Sequence, residues 1–340
     1  MRRVLLTGGS GFIAAHVLDY LIQRGYSVVT TVRSTSKAEK IRAAYPKIGK
    51  DRLDFAIVED IAQDNAFDDA VVSNPPFEAV IHTASPFHFN VTDVQRDLLD
   101  PAIKGTTGIL KSIIQKAPTV KQVVITSSFA SVVNPFQGSW PGHTYTEQDW
   151  NPITLEQASE NVANGYRASK TFAEKAAWEF LQQENPSFSL TTLCPPQVLG
   201  PVISHLSSLD NLNTSNQVIR DLVQGKFKAK IPPNPTFTWV DVRDLALCHV
   251  LALEKAGAAN ERFLVTAGYF CNAELVDIVR EHHVQSGDRL PAEGSDGGGY
   301  PEGGFYKVDN SKVVKILGVS WRNLSDTVMD TVKSLQNFQT

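Results

Sequence analysis

Val4-Leu5-Leu6-Thr7-Gly8-Gly9-Ser10-Gly11-Phe12-Ile13-Ala14 is the stretch on which the fold turns. A short aliphatic run passes into a glycine cluster and then directly into Phe12–Arg24, where Ile13, Val17, Leu18 and Leu21 share one helical face. Strand, tight turn and helix in that order form a cradle for a pyrophosphate. Gly8 permits the turn, Gly11 lets the backbone approach the phosphates, and the helix N-terminus supplies free N–H groups with a partial positive charge. Ser10, Phe12 and Ile13 complete the candidate contacts, and Ala14 takes the third small position, where helix and strand pack closely.

Working outward, short apolar runs recur at Val28–Val32, Phe55–Val58, Ala79–Ile81, Val123–Ile125 and Leu190–Leu193, with helical stretches between them. Most are continuous rather than alternating in apolar character, as strands covered on both faces require. The pattern predicts an α/β fold: a Rossmann-type doubly wound parallel sheet followed by a smaller C-terminal lobe. Tyr166–Gln183 reads as a strong helix, rich in Ala, Lys and Glu and ending before Asn185-Pro186. After Cys194 the prolines and glycines of Pro195-Pro196 and Gly200-Pro201 break the pattern. The expected division is therefore 1–194 for the dinucleotide domain, with 237–265 returning to it, and 195–236 plus 266–340 for a substrate-binding lobe. The glycine-rich stretch from Gly294 to Gly304 follows no clear strand and reads as a flexible surface loop.

Composition excludes several classes. A chain of 340 residues with 42% apolar and 20% charged residues can bury a large core without disulfides or structural metal. The net charge of −4 and the lack of like-charge blocks argue against nucleic acid. No run reaches the roughly 18 apolar residues of a membrane helix, and the N-terminal apolar run is too short for a signal peptide. Cys194, Cys248 and Cys271 are scattered, which suits buried reduced thiols. His282-His283 has no companion at ligand spacing, so no metal is expected. The sequons at Asn90, Asn213 and Asn323 would matter only in a secreted chain. These observations point to a cytoplasmic, metal-free enzyme or binding protein.

The end of the second strand bears on the cofactor. An NAD site usually places an acid there for the ribose 2′-OH, whereas this chain has Thr31-Val32-Arg33-Ser34 and then Lys37. Two cations without an acid suit the 2′-phosphate of NADPH/NADP+; the alternative is a solvated basic pair.

Tyr166-Arg167-Ala168-Ser169-Lys170 sets a phenol and an ammonium four apart on one helical face. That spacing alone decides nothing. Its position does, because the pair opens the helix before the sixth strand while the fifth strand ends in Thr126-Ser127-Ser128-Phe129, and ligands bind at such strand ends. Hydride delivery to a carbonyl builds negative charge on oxygen, which calls for a proton donor and a hydrogen-bond donor. A nearby ammonium and an oxidised nicotinamide both favour phenolate and so should lower the phenol's pKa.

With these motifs assembled, the chain resembles the extended short-chain dehydrogenases/reductases. Within them it is similar to the fungal NADPH-dependent aldehyde and ketone reductases of the methylglyoxal reductase type, relatives of plant dihydroflavonol reductases. The resemblance rests on the glycine turn, Arg33, Asp60-Ile61, His82-Thr83-Ala84-Ser85-Pro86-Phe87, Thr126-Ser127-Ser128 and Tyr166 with Lys170. Arg96-Asp97-Leu98-Leu99, Phe172–Phe180 and Val240-Asp241-Val242-Arg243-Asp244 add to it. It covers nearly the whole chain and weakens over 202–236 and in the glycine-rich stretch. It implies that Ser128, rather than Ser127, is the catalytic serine. It also implies that Asp60 and Ile61 flank the adenine, that Thr83, Ala84, Ser85, Pro195 and Val198 line the cofactor, and that Phe87 and Phe129 wall the substrate pocket; both phenylalanines could equally be core residues. Gln197 stands where relatives such as the yeast enzyme carry tyrosine, which bears on substrate preference.

The expected activity is therefore reduction of a small-molecule carbonyl substrate, and the resemblance implies a monomer or homodimer. A nucleotide-sugar epimerase or dehydratase shares the fold and the Tyr/Lys pair, but 202–219 contains no Lys or Arg to clamp a diphosphate. A non-catalytic NADP(H)-sensing regulator would typically lack the tyrosine or the lysine.

Overall fold

The structure, a computed structural model, describes residues 2–85, 91–203, 212–282, 289–336 and 338. The chain begins with β1 (Arg3–Thr7), α1 (Phe12–Gln23), β2 (Ser27–Val32), α2 (Thr35–Ala44), β3 (Leu53–Ile57) and β4 (Ala79–His82). It continues through a π-helical turn over Gln95–Leu99 into α3 (Asp100–Lys116) and then β5 (Gln122–Thr126). After β6 (Thr144–Tyr145) and α4 (Leu155–Ala158) come α5 (Val162–Glu184) and β7 (Ser189–Cys194).

Seven parallel strands form the central sheet in the order β10-β7-β5-β4-β1-β2-β3, where β10 is Arg262–Leu264. The order reverses between β1 and β4, the kind of switch point at which open α/β sheets bind ligands. All five residues of β1 are buried. Alternation along it sends Val4 and Leu6 into one core with Val17, Leu18 and Leu21 of α1. Leu5 points into the opposite core with Ile109, Leu110 and Ile113 of α3 and Ala177 and Phe180 of α5.

Past β7 the chain leaves the sheet for β8 (Gln197–Leu199), α6 (Thr214–Val223) and β9 (Thr238–Asp241). It then turns back through α7 (Val242–Glu254) and β10, and leaves again through β11 (Gly268–Tyr269), α8 (Asn272–Glu281), β12 (Lys307–Val308), α9 (Ser311–Leu317) and α10 (Leu324–Gln336). β11, β9 and β8 make a small sheet of their own. Its side chains Leu199 and Trp239 share a core with Ile219, Leu222, Leu275, Val279, Val328 and Val332 of α6, α8 and α10. Within 237–265, then, β9 lies in the lobe's sheet, whereas α7 shares the core of α1 and β10 completes the main sheet.

One expectation needs correction and another needs refinement. Tyr166 does not open its helix, because α5 starts at Val162, where the Asn161 side chain caps it by accepting from the Asn164 N–H at 2.9 Å. The glycine-rich stretch lies at the surface as expected, but it is tied down at Gly297 and Gly298. Gly297 (φ 97°) bridges Ile231, Gly298 (φ 66°) accepts from the Ala273 N–H, and a Cβ on Gly298 would stand 2.2 Å from Ile231 Cγ2. Glycine is needed there for close packing and left-handed backbone.

Candidate active site

The glycine turn is pinned between the ends of β2 and β4. The Gly8 N–H donates to Thr31 Oγ1 at 3.1 Å and the Gly9 N–H to the Thr31 carbonyl at 2.9 Å. From the other side, Thr83 Oγ1 donates to the Thr7 carbonyl at 2.6 Å and the Ala84 N–H donates to Thr7 Oγ1 at 3.1 Å. Gly8 has φ 76°, and a Cβ there would meet the Ala84 backbone at 3.0 Å. The tightest position is Gly9, which sequence reasoning passed over: its Cβ would fall 2.1 Å from Thr30 Oγ1. Gly11 caps α1 without a side-chain hydrogen bond, and the first turn of α1 carries no acid. The Gly8, Gly9 and Gly11 N–H groups are used in holding the turn. It is therefore the first turn of α1, with the donors every helix start leaves over, its dipole and no competing carboxylate, that fits a cofactor pyrophosphate. Ser10, Phe12 and Ile13 are half-buried beside this turn.

Arg33 and Lys37 stand exposed just past β2, neither paired with a carboxylate among the described residues. Asp60 is exposed after β3, its Oδ1 accepting from the Ala62 N–H, and Ile61 packs against Gly105 of α3.

At the carboxyl end of β5 the chain enters a 3₁₀ turn over Phe129–Ser131, capped by Ser128, whose Oγ accepts from the Ala130 N–H at 3.1 Å. Tyr166 lies beside Ser128, whose side chain favours ionisation of the phenol. One turn further along α5, Lys170 Nζ lies 5.8 Å from the Tyr166 ring centroid and donates to Ser85 Oγ at 2.7 Å. The structure thus brings Ser128, Tyr166, Lys170 and Ser85 together beside the glycine turn. Burial raises the phenol above its ordinary pKa, and the neighbouring Ser128 side chain opposes this. The expected lowering by Lys170 does not emerge: burial dominates, and what opposes it is the Ser128 side chain rather than the ammonium. Burial also pushes the Lys170 ammonium down to about 8.

Other candidates are more dispersed. Pro195 is buried, and its carbonyl accepts from the Phe129 N–H at 2.8 Å. Val198 is buried in β8, and Gln197 is half-buried in register with Trp239. Phe129 is 3% exposed and packs edge-to-face on Tyr145 and against Tyr306. Phe87 lies outside the described residues.

Two buried histidines support the site from beneath, and sequence reasoning missed their roles. His82, at the end of β4, holds Thr7 Oγ1 through Nδ1 at 2.8 Å. His249 of α7 bonds Thr126 Oγ1 through Nε2 at 2.6 Å, while its Nδ1 pairs with the Leu245 carbonyl at 2.8 Å. That carbonyl can only accept, so His249 carries its proton on Nδ1 and Thr126 donates to Nε2.

Residues 4–266 match the NAD dependent epimerase/dehydratase family. This chain belongs to that family. Among curated members, it is 45% identical over 337 residues to the ketoreductase azaE of Aspergillus niger, covering 98% of this chain and 97% of the relative. It is 38% identical to the Candida albicans protein named as a putative NADPH-dependent methylglyoxal reductase, GRP2, with 98% of both chains covered. Among solved family structures, Gre2 of Candida albicans in complex with NADPH superposes with a TM-score of 0.89 at 35% identity over the full length of both chains. The central sheet is therefore the Rossmann-type sheet of this family. No described helix is long and apolar enough to cross a membrane.

Proposed function

We propose that this protein is an NADPH-dependent carbonyl reductase acting on hydrophobic aldehydes and ketones in the cytoplasm, as a monomer or homodimer, with Tyr166 as the proton donor. One observation carries the reading: the Tyr166 phenol stands beside Ser128, with Lys170 one turn beyond it, at the strand end next to the glycine turn. The family name leaves epimerase or dehydratase chemistry open. Full-length relatives named as reductases, and the lack of Lys or Arg over 202–219, favour reduction.

Gly8–Ile13, Thr83–Ser85, Pro195 and Val198 would hold the cofactor, with Asp60 and Ile61 at its adenine and Arg33 and Lys37 at its 2′-phosphate. NADPH, when bound, supplies the hydride. The Ser128 hydroxyl holds the substrate's carbonyl oxygen, and Tyr166 donates its proton as negative charge builds there. Burial keeps the phenol protonated near neutrality, the form a donor needs. The Lys170 ammonium then favours the phenolate left behind. Residues 195–236 and 266–340 would shape the substrate side, with Gln197, Phe87 and Phe129 as candidate pocket residues.

NADPH consumption with simple aldehydes and ketones tests the activity. Tyr166→Phe should cut turnover by roughly 10²–10⁴-fold while leaving NADPH binding nearly intact. Parent-like turnover in that variant would refute the proton-donor assignment.

A further inference from the structure

Tyr166, Lys170 and Glu174 recur every fourth residue, so α5 carries phenol, ammonium and carboxylate along one stripe. The proposed chemistry uses the first two. Glu174 is only 3% exposed, yet it is surrounded by donors. Its carboxylate accepts from Ser127 Oγ at 2.6 Å, Thr192 Oγ1 at 2.8 Å, and Arg262 Nε and Nη2 at 2.8 and 3.2 Å. The Ser131 hydroxyl donates to it as well, and Cys194 Sγ is 3.6 Å from each oxygen. Burial alone would push the carboxyl up, but the charge and hydrogen bonds of Arg262 and those of Ser127 and Ser131 outweigh it, so Glu174 stays below its ordinary value.

A buried ion pair is weak as a stabiliser, because desolvation cancels much of its attraction. What this pair ties together is more telling. Ser127 and Ser131 bracket Ser128, and Ser131 Oγ is also 2.7 Å from the Ser128 carbonyl. Arg262, on the edge strand β10, stacks 3.7 Å over Trp150 and donates to the Glu147 and Ser131 carbonyls at 3.0 and 3.3 Å. The turn bearing Ser128 and the helix bearing Tyr166 and Lys170 therefore meet at one carboxylate.

We propose that Glu174 is a positioning residue for the reduction: its buried carboxylate, neutralised by Arg262, locks the Ser127–Ser131 turn to α5 and so fixes Ser128 against Tyr166. This rests on the site reading above, and Ser128→Ala and Tyr166→Phe serve as its controls. If both controls keep parent turnover, the site reading fails; if they lose it while the Glu174 variants do not, only the positioning role fails.

The test is Glu174→Gln, which keeps shape and one acceptor oxygen but frees the turn and leaves Arg262 unpaired. A shift of about 1 Å at a reacting group can cost roughly 100-fold in rate. The expected result is a kcat lowered about 10–100-fold, with NADPH affinity by fluorescence titration within about threefold of the parent. The pH profile supplies a readout that simple loosening would not move. Reduction needs the protonated phenol, so the rate falls as pH rises past its pKa. Replacing the carboxylate by an amide leaves a bare guanidinium about 12 Å along the helix from Tyr166, which at an effective dielectric near 20 favours phenolate by roughly one pH unit. The alkaline limb should move down by that much. Lys170 on the same helix and the neutral His82 facing it from β4 are unaltered. Adding Arg262→Met to Glu174→Gln should bring the limb back. Ser127→Ala, which removes one tie and no charge, should lower kcat about three- to tenfold with no limb shift, and it decides the matter if Glu174→Gln does not fold. Parent kcat in a folded Glu174→Gln or in Ser127→Ala, or equal loss of kcat and NADPH affinity, would overturn the proposal.

Discussion

Mild acid should destabilise this protein through two histidines buried as neutral groups directly beneath the site. Burial pushes His82 down to about 3, with the Lys170 charge adding to this, and pushes His249 down to about 4 against the Leu245 bond. In the unfolded chain both titrate near 6.5. Between pH 6.5 and these depressed values the unfolded state binds more protons than the folded one, so stability falls as pH falls. Each group contributes about 1.4 kcal/mol per pH unit across that window, so going from pH 7 to 5 should cost about 2 kcal/mol per histidine and about 4 kcal/mol for the pair. His16, also lowered by burial, acts in the same direction. Carboxylates held low by partners, such as Glu174, enter only below about 4.5. Urea unfolding at pH 7, 6 and 5 measures the slope. His249→Gln keeps an acceptor for Thr126 and should remove about half of the pH-dependent loss while costing some stability at pH 7. If the parent is equally stable at pH 5 and 7, or if His249→Gln retains the full loss, the buried neutral histidines are not the cause. The loss should also reach function, since His82 anchors Thr7 ahead of the glycine turn and His249 anchors Thr126 ahead of Ser128.

Three other outcomes are expected. Arg33→Ala should weaken NADPH by about 1.5–3 kcal/mol, or roughly 10–100-fold, and leave NADH nearly unchanged; equal loss for both cofactors in kcat/KM comparisons would make Arg33 a plain surface charge. Gly9→Ala drives a Cβ into Thr30 and should cost about 1–3 kcal/mol in a denaturation titration, partly recovered when Thr30→Ala is added. Kinetics with an aryl ketone against a short keto acid should favour the ketone, and Gln197→Tyr should alter preference among ketones without abolishing activity; a clear win for the keto acid would sink the hydrophobic-pocket reading.

The parallel sheet was legible because most of its strands read as short continuous apolar or β-branched runs between Val4 and Leu193. The glycine turn was legible because strand, turn and helix are contiguous in sequence. Local signals set the limits. Asn161, one polar residue before an unremarkable Val-Ala pair, starts α5 a turn earlier than its Ala/Lys/Glu-rich body suggested. The Gly294–Gly304 stretch reads as a surface loop, and nothing in it signals that Ile231, distant in sequence, packs against Gly297 and Gly298. The Glu174–Arg262 contact joins residues 88 apart, which no spacing rule reaches. The recurrence of Tyr166, Lys170 and Glu174 at every fourth position was the available hint.

The path of the chain around the small sheet constrains how such proteins can be recombined. The backbone passes between the large sheet and the lobe three times: after Cys194, between Asp241 and Val242, and after Leu264. A graft taking only 195–236 from a relative would set a foreign β8 beside the resident β9, and one taking only 266–340 would do the same to β11. Both segments, together with β9, travel as one unit. Asp241 marks the seam, since its carboxylate accepts from Arg243 on the α7 side and from Thr327 of α10 on the lobe side. A chimera jointed at that residue keeps both bonds only if the donor brings its own threonine.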